Sequence, residues 1–183
     1  MTSLLICNCR PFDAAESSGL RSVFVRDGRI DSIAPAEKSL QADEVLDAEG
    51  RTLAPGFIDV HIQGAGGVDV LDATPEALGT LARTCARFGV TGFLATTVYM
   101  AGQENAHLQV AAEWTGRDLG GAHLLGVHLE GPFISAKKRG MIQPDCLVEP
   151  SELALDHIES LLGKHLKMMT VAPELPGGCD IIR

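Results

Sequence analysis

PGFIDVH, residues 55–61, is an apolar run that ends abruptly in a histidine, and the rest of the chain repeats its pattern. Each repeat has a continuously apolar run, a loop with polar residues and an amphipathic segment. The apolar runs are residues 57–61, 90–98, 124–129 and 166–171. Runs of this length between helical patterns are typical of buried strands in β/α units. The sequence therefore predicts four β/α units after residue 54.

Helical patterns fill the intervals between these runs. Thr74 can cap a helix whose first residue is Pro75, and Gly89 ends that helix. Its apolar stripe comprises Leu78, Leu81, Ala82, Cys85 and Phe88. Further helices are predicted over residues 151–162 and, with a weaker pattern, 107–114. The stripe of the 151–162 helix comprises Leu153, Leu155, Ile158, Leu161 and Leu162.

Apolar strands that alternate with amphipathic helices indicate an α/β fold, in which helices cover a parallel sheet. The sheet can be a closed barrel or an open, doubly wound sheet, and spacing does not choose between them. A complete (β/α) barrel needs about 250 residues, whereas the 183-residue chain has 129 from Pro55 to Arg183. If the sheet is a barrel, we expect only its first half in this chain.

The first 54 residues follow a different pattern, with short β-like runs separated by turn residues. The runs are residues 4–6, 23–25, 30–33 and 45–46. Asp27-Gly28 predicts a two-residue hairpin turn, because both residues tolerate the positive φ that a type I′ turn requires. We predict two domains, a small all-β domain over residues 1–54 and an α/β domain over residues 55–183.

Composition excludes several classes of function. The chain has 24 acidic and 15 basic residues and a net charge of -9, which argues against nucleic acid as a partner. The only basic run, residues 137–139, is read as a solvated loop, with contact to a phosphate group as the alternative. Five scattered cysteines form no Cys-x-x-Cys pair, and no window is apolar enough to span a membrane. We expect a cytoplasmic protein.

Polar residues gather where the predicted strands end. His61 and Gln63 lie on one face of the first strand, and His128 and Glu130 on one face of the third, because alternate strand residues point the same way. A carboxylate at a strand end suits a divalent ion. The alternatives are that Glu130 pairs with a lysine or arginine or caps a helix, and that the histidines are structural.

Four strings carry a resemblance to a known family: PGFIDVH, GVTGFLATT, HLEGPF and VAPE, in that order. Together they resemble the N-acetylglucosamine-6-phosphate deacetylases of the amidohydrolase superfamily, from about residue 20 to the end of the chain. The resemblance implies a small β-sandwich domain followed by a (β/α)8 TIM-type barrel, of which about the first four units lie here. It also implies one or two divalent metal ions at the strand ends.

The resemblance assigns roles residue by residue. Glu130 matches the family's metal-ligating glutamate, and His61 matches the first histidine of a His-x-His pair. Gln63 stands where two-metal members have the second histidine and is a poor zinc ligand, so we expect one metal ion per site, with zinc as the expected metal. In the substrate-contacting loop, Met141 retains a backbone contact, whereas Ile142 replaces an imidazole and cannot form its hydrogen bond.

No catalytic residue is expected in this chain, since the family's catalytic aspartate and two further histidine ligands would lie beyond Arg183. We expect the complete protein to hydrolyse the N-acetyl group of an amino-sugar phosphate, and to form a homo-oligomer. One alternative is a truncated, non-catalytic half-barrel that is inert or pairs with another chain. Another is an amidohydrolase acting on a different acylated sugar or a cyclic amide. The other histidines, His107, His123, His157 and His165, are read as structural or surface residues.

Overall fold

The computed structural model describes residues 2–12, 19–36 and 40–183. The chain folds as two compact units, the first ending at Pro55 and the second beginning at Gly56. None of the helices in these described ranges is long and apolar enough to cross a membrane.

The first unit is a mixed β-sheet. Its strands are β1 (Ser3–Pro11), β2 (Arg21–Arg26), β3 (Arg29–Pro35), β4 (Glu44–Asp47) and β5 (Thr52–Leu53). The order is β3-β2-β1-β4, with β5 also beside β1; β1, β2 and β3 pair antiparallel, and β4 and β5 run parallel to β1. Asp27 and Gly28 both have positive φ between the paired residues Arg26 and Arg29, which confirms the predicted hairpin. The β-sandwich stays a prediction.

The second unit contains a four-stranded parallel sheet, which confirms the predicted α/β class. Its strands are β6 (Phe57–Ile62), β9 (Val90–Thr97), β10 (His123–Glu130) and β11 (Leu166–Thr170), in the order β11-β10-β9-β6. A short antiparallel hairpin, β7 (Gly64–Ala65) and β8 (Val68–Asp69), follows the first of these strands. The sequence did not predict this hairpin, because strands of two residues are too short to show an alternation of apolar and polar residues.

Helices connect the parallel strands. They are α1 (Pro75–Arg87), α2 (Ala106–Trp114), α3 (Glu152–Leu162) and, after the last strand, α4 (Gly178–Ile182). The Thr74 hydroxyl accepts a hydrogen bond from the backbone N–H of Ala77 at 3.2 Å, so this residue caps α1 as predicted. Two residues of the predicted stripes are corrected: Phe88 is 77% exposed because it lies just past α1, and Leu153 is 82% exposed in the first turn of α3.

The apolar core of this unit lies between the helices and the parallel sheet. Fully buried side chains from both layers meet there, including Leu81, Phe93, Leu108, Leu129 and Ile158. Strand β6 is an exception, because its apolar residues Phe57, Ile58 and Val60 are exposed to solvent. The core therefore fixes the strands from the helical side and leaves their carboxyl ends free to form a site.

Candidate functional site

The four parallel strands end at one edge of the sheet, where open and closed α/β sheets build their sites. A cleft of about 610 Å³ lies at this edge. Residues from the strand ends and from the loop after β10 line it, among them Gln63, Thr97, Glu130, Arg139 and Thr170. The edge predicted from the sequence is thus the edge that carries a cleft.

Gln63 and Glu130 meet across the sheet. The side-chain amide nitrogen of Gln63 donates a hydrogen bond to Oε2 of Glu130 at 2.6 Å, although 67 residues separate them in sequence. Glu130 is half-buried, and in the described part of the chain it forms no ion pair with lysine or arginine and caps no helix. Neither alternative role of this carboxylate, pairing with a cationic side chain or capping a helix, is therefore observed in the described residues.

His61 is held through its backbone rather than through its ring. Its N–H donates to Oδ1 of Asp59 at 3.0 Å, so the aspartate ties down the end of β6. The exposed imidazole of His61 contacts the ring of His128 edge-on, with 5.1 Å between ring centroids and 62° between planes. Both histidines predicted at strand ends thus lie together at the same edge.

His128 is the most enclosed of these polar groups, at 2% exposure. Its Nδ1 lies 3.2 Å from the hydroxyl of Thr96, and its Nε2 lies 2.8 Å from the hydroxyl of Thr170. Burial lowers the pKa of His128, and the neighbouring His61 lowers this pKa further, while the Val60 carbonyl and Glu130 act in the opposite direction. A lowered pKa keeps the imidazole neutral near pH 7.

Met141 and Ile142 lie in the loop that forms one wall of the cleft. Met141 is 92% exposed, while Ile142 is half-buried and its carbonyl accepts a hydrogen bond from the guanidinium of Arg139. Lys138 and Arg139 also line this wall, so two residues of the basic run face the cleft rather than open solvent alone. The apolar side chain of Ile142 offers no hydrogen bond there.

Several polar residues of the site were not singled out from the sequence. They are Thr96, Thr97, Thr170 and Asp69, all of which line the cleft. The signal was present for the threonines, because each stands in the last two residues of an apolar strand. For the aspartate there was none, since the β7–β8 hairpin that brings it to the cleft was not predicted.

Two of the remaining histidines have structural roles, as predicted. Nε2 of the buried His107 lies 2.8 Å from the Val98 carbonyl, and burial lowers the pKa of this histidine. Nδ1 of His157 lies 2.7 Å from the hydroxyl of Tyr99. Neither imidazole lines the cleft.

The donor atoms at the cleft fit part of a divalent-metal site. Glu130 supplies a carboxylate, the kind of anionic oxygen donor that divalent ions prefer. Yet within residues 2–12, 19–36 and 40–183, no three histidine, cysteine, aspartate or glutamate side chains are grouped so that they could hold an ion together. The described residues therefore offer one strong ligand and do not by themselves complete a coordination shell.

Comparisons with known proteins bear on this geometry. The N-acetylglucosamine-6-phosphate deacetylase of Lysinibacillus sphaericus is 33% identical over 183 residues, covering 99% of this chain and 47% of that protein. The N-acetylgalactosamine-6-phosphate deacetylase of Escherichia coli O157:H7 is 34% identical over 160 residues, covering 87% of this chain and 41% of that protein. The chain thus spans about half the length of the curated relatives it matches. No protein-family model matches it.

A solved structure agrees at the level of the fold. The N-acetylglucosamine-6-phosphate deacetylase of Mycobacterium smegmatis, a mutant solved with N-acetylglucosamine 6-phosphate, superposes with a TM-score of 0.81 at 24% identity. The match covers 99% of this chain and 46% of that one. Relatives with the deacetylase name therefore cover nearly the whole chain, and the resemblance stated from the four motifs is confirmed.

Proposed function

We propose that this chain is part of a metal-dependent amidohydrolase that removes the acetyl group from an amino-sugar phosphate, N-acetylglucosamine 6-phosphate in the first instance. One observation carries the proposal: the carboxylate of Glu130 stands at the carboxyl edge of the parallel sheet, in a cleft and without a cationic partner in the described residues. Curated relatives that carry this activity in their names match almost the entire chain.

The same proposal extends to the architecture. The parallel order β11-β10-β9-β6, with a helix between successive strands, is compatible with four neighbouring strands of a (β/α)8 TIM-type barrel. We place the small β domain of the family in residues 1–54 and the barrel portion in residues 55–183. The fold similarity to a complete deacetylase supports this division.

Glu130 and His61 are the proposed metal ligands of this chain, with zinc as the proposed ion. When bound, such an ion polarises a carbonyl oxygen and lowers the pKa of a water molecule. Gln63 donates its amide N–H to Glu130, which restrains the carboxylate and keeps one of its oxygens engaged. Asp59 fixes the backbone at His61. We assign no general base to residues 1–183.

The sugar is proposed to bind against the wall of the cleft that contains Met141 and Ile142. Met141 contributes its backbone, as the family resemblance implies, and Ile142 contributes an apolar surface in place of a hydrogen bond. The loss of that hydrogen bond leaves the sugar isomer open to change. The similarity to an N-acetylgalactosamine-6-phosphate deacetylase favours that isomer as a second candidate substrate. A cyclic amide is the third.

The proposed partners follow from this chemistry. The ligand is a small amino-sugar phosphate, and a homo-oligomer is the expected assembly. The net charge of -9 supports the exclusion of nucleic acid. A cytoplasmic location without membrane binding stays a prediction.

Zinc titration tests the metal assignment in a chimera, in which this chain replaces the matching segment of the Lysinibacillus sphaericus relative, because the described residues alone do not complete a coordination shell. Glu130→Gln keeps the shape of the side chain and removes its charge, so we expect zinc affinity to fall at least tenfold, measured by calorimetry. Glu149→Gln is the matched control, because Glu149 is an exposed glutamate outside the cleft. Equal zinc affinity in the Glu130→Gln chimera and the unsubstituted chimera would overturn the assignment.

Activity is tested in the same chimera. We expect the chimera to release acetate from N-acetylglucosamine 6-phosphate, and Glu130→Gln to abolish the release. Parallel assays with N-acetylgalactosamine 6-phosphate compare the two isomers. A folded, zinc-loaded chimera that releases acetate from neither sugar would contradict the proposal.

A non-catalytic role for the isolated chain is the second candidate. Its supporting observation is the exposure of Phe57, Ile58 and Val60 on β6, which pairs only with β9 in the described part of the chain. An apolar strand with a free edge is a template for pairing with another strand. This candidate predicts association of the chain in solution, whatever its metal content.

A further inference from the structure

His128 is a buried histidine that the proposed chemistry does not use. Both of its ring nitrogens have hydrogen-bond partners, and the two partners lie on different strands: Thr96 on β9 and Thr170 on β11. Buried polar groups are hydrogen-bonded in native structures, but partners on both flanking strands are not required for that. His128, on β10, therefore links the two strands that flank it through side chains.

The link continues to the fourth strand. The hydroxyl oxygen of Thr96 accepts a hydrogen bond from the backbone N–H of Ile62 at 3.0 Å, which brings β6 into the same chain of contacts. In register, His128 stands opposite Thr96, and Glu130 stands opposite Thr170. The side-chain contacts thus cross all four strands, and two of the linking residues, Thr96 and Thr170, also line the cleft.

Of the two proposed ligands, His61 contacts this link and Glu130 follows it on the same strand. The ring of His61 meets the ring of His128 edge-on at 5.1 Å between centroids. Glu130 follows His128 by two residues on the same strand, so its side chain leaves the sheet on the same face. A displacement of the His128 ring would therefore change the positions of both the His61 ring and the Glu130 side chain.

We propose that His128 is a positioning residue, which fixes the direction of the His61 ring and of the Glu130 carboxylate at the carboxyl edge of the parallel sheet. The proposal rests on the proposed function only in that these two groups form the proposed site. Its geometric content stands on the hydrogen bonds to Thr96 and Thr170 and can be tested without metal or substrate.

Nuclear magnetic resonance of the 183-residue chain provides two reporters. The side-chain amide protons of Gln63 report the hydrogen bond to Glu130, and the ring protons of His61 report the contact with His128. Thr170→Val removes the hydroxyl while it keeps the shape, and Thr170→Ser keeps the hydroxyl. We expect both reporters to shift by more than a line width in Thr170→Val and to return to wild-type positions in Thr170→Ser.

His128→Phe is the stronger perturbation, since it keeps a ring and loses both hydrogen bonds. His107→Phe is the matched control, because His107 is equally a buried, hydrogen-bonded histidine of the same unit. A purely structural role predicts similar losses of stability and similar reporter shifts in the two variants. The positioning role predicts reporter shifts in His128→Phe and none in His107→Phe.

Reporters that stay in place in both Thr170→Val and His128→Phe would overturn the proposal, as would equal shifts in His107→Phe. If His128→Phe does not fold, the Thr170 pair decides, because Thr170 is exposed and its replacement leaves the core untouched. Failure of the proposed function is separate: it appears as unchanged zinc affinity in Glu130→Gln, with the reporter shifts intact.

Discussion

At the scale of single residues, Thr97 is one of two buried side chains, with Ser22, whose hydroxyl lacks a hydrogen-bond partner in the described part of the chain. Thr97 lies at the end of β9. An unsatisfied buried hydroxyl costs about 1–3 kcal/mol. Thr97→Val keeps the shape and removes that cost, so we expect the free energy of unfolding to rise by about 1 kcal/mol, measured by urea denaturation.

The neighbouring threonine gives the opposite expectation. The Thr96 hydroxyl contacts both His128 and the N–H of Ile62, so Thr96→Val leaves these groups without their partner. We expect it to destabilise by about 1–3 kcal/mol. A loss of stability in Thr97→Val as large as that in Thr96→Val would show that the Thr97 hydroxyl has a partner.

His107 makes stability depend on pH. Burial lowers its pKa in the folded state, so below the ordinary histidine pKa the unfolded chain binds a proton that the folded chain does not. The contribution of His107 to the free energy of unfolding is therefore fully present above about pH 6.5, and it is lost progressively as the pH falls below that value. We expect His107→Gln, whose amide can still donate to the Val98 carbonyl, to lose less stability between neutral and mildly acidic pH than wild type does.

Urea denaturation at neutral and at mildly acidic pH measures the loss of stability in each protein. His123→Gln is the control, because His123 is exposed. His128 also has a lowered pKa, so the variant retains part of the acid sensitivity. If His107→Gln loses as much stability at mildly acidic pH as the wild-type protein does, His107 does not contribute to the pH dependence of stability.

The sequence predicted which residue types end the strands, but it did not predict their contacts. Alternation places Gln63 and Glu130 on the cleft face of their strands. The hydrogen bond between them depends on the register of β6 and β10, which are not neighbours but are related through β9. Register across an intervening strand leaves no local signal, so this contact required the structure.

At the scale of secondary-structure elements, Gly126 lies where the pairing of β10 is irregular. Its φ is +151°, and the register shifts on either side of it toward β9 and β11. A Cβ at this position would lie 2.7 Å from the carbonyl oxygen of His165, a backbone atom that cannot turn aside. We expect Gly126→Ala to destabilise by more than about 2 kcal/mol, through both strain and collision.

Gly102→Ala is the matched control for that substitution. Gly102 also has positive φ, but a Cβ there meets nothing within 4 Å. Strain alone predicts a loss of about 1–2 kcal/mol. Thermal denaturation of both variants separates the two contributions, and equal losses would contradict the collision at His165.

Periodicity and caps predicted the elements well where local physics decides them. The helix that begins after Thr74 and the hairpin at Asp27-Gly28 depend on backbone hydrogen bonds and φ preferences within a few residues. The irregularities of β10 depend instead on what its neighbours present, since glycine in a strand marks close approach only after the partner is known. The glycine was visible in the sequence, and the carbonyl that requires it was not.

At the scale of the whole molecule, the parallel sheet of the second unit has two strands with one described neighbour each, β6 and β11. β6 also exposes Phe57, Ile58 and Val60. Free strand edges with apolar side chains favour association between chains. We therefore expect the 183-residue chain to self-associate in a concentration-dependent manner, measured by sedimentation velocity.

Val60→Lys tests whether β6 is responsible, because a charged side chain on an edge strand opposes pairing with a second strand. We expect it to lower the associated fraction, with the fold retained by circular dichroism. Leu153→Lys is the matched control, since it places the same charge on an exposed leucine of α3, away from the sheet. If both substitutions reduce association equally, general hydrophobicity and not the β6 edge drives it. A compact monomer at all concentrations would remove the support for strand pairing and leave the proposed hydrolase as the sole function under test.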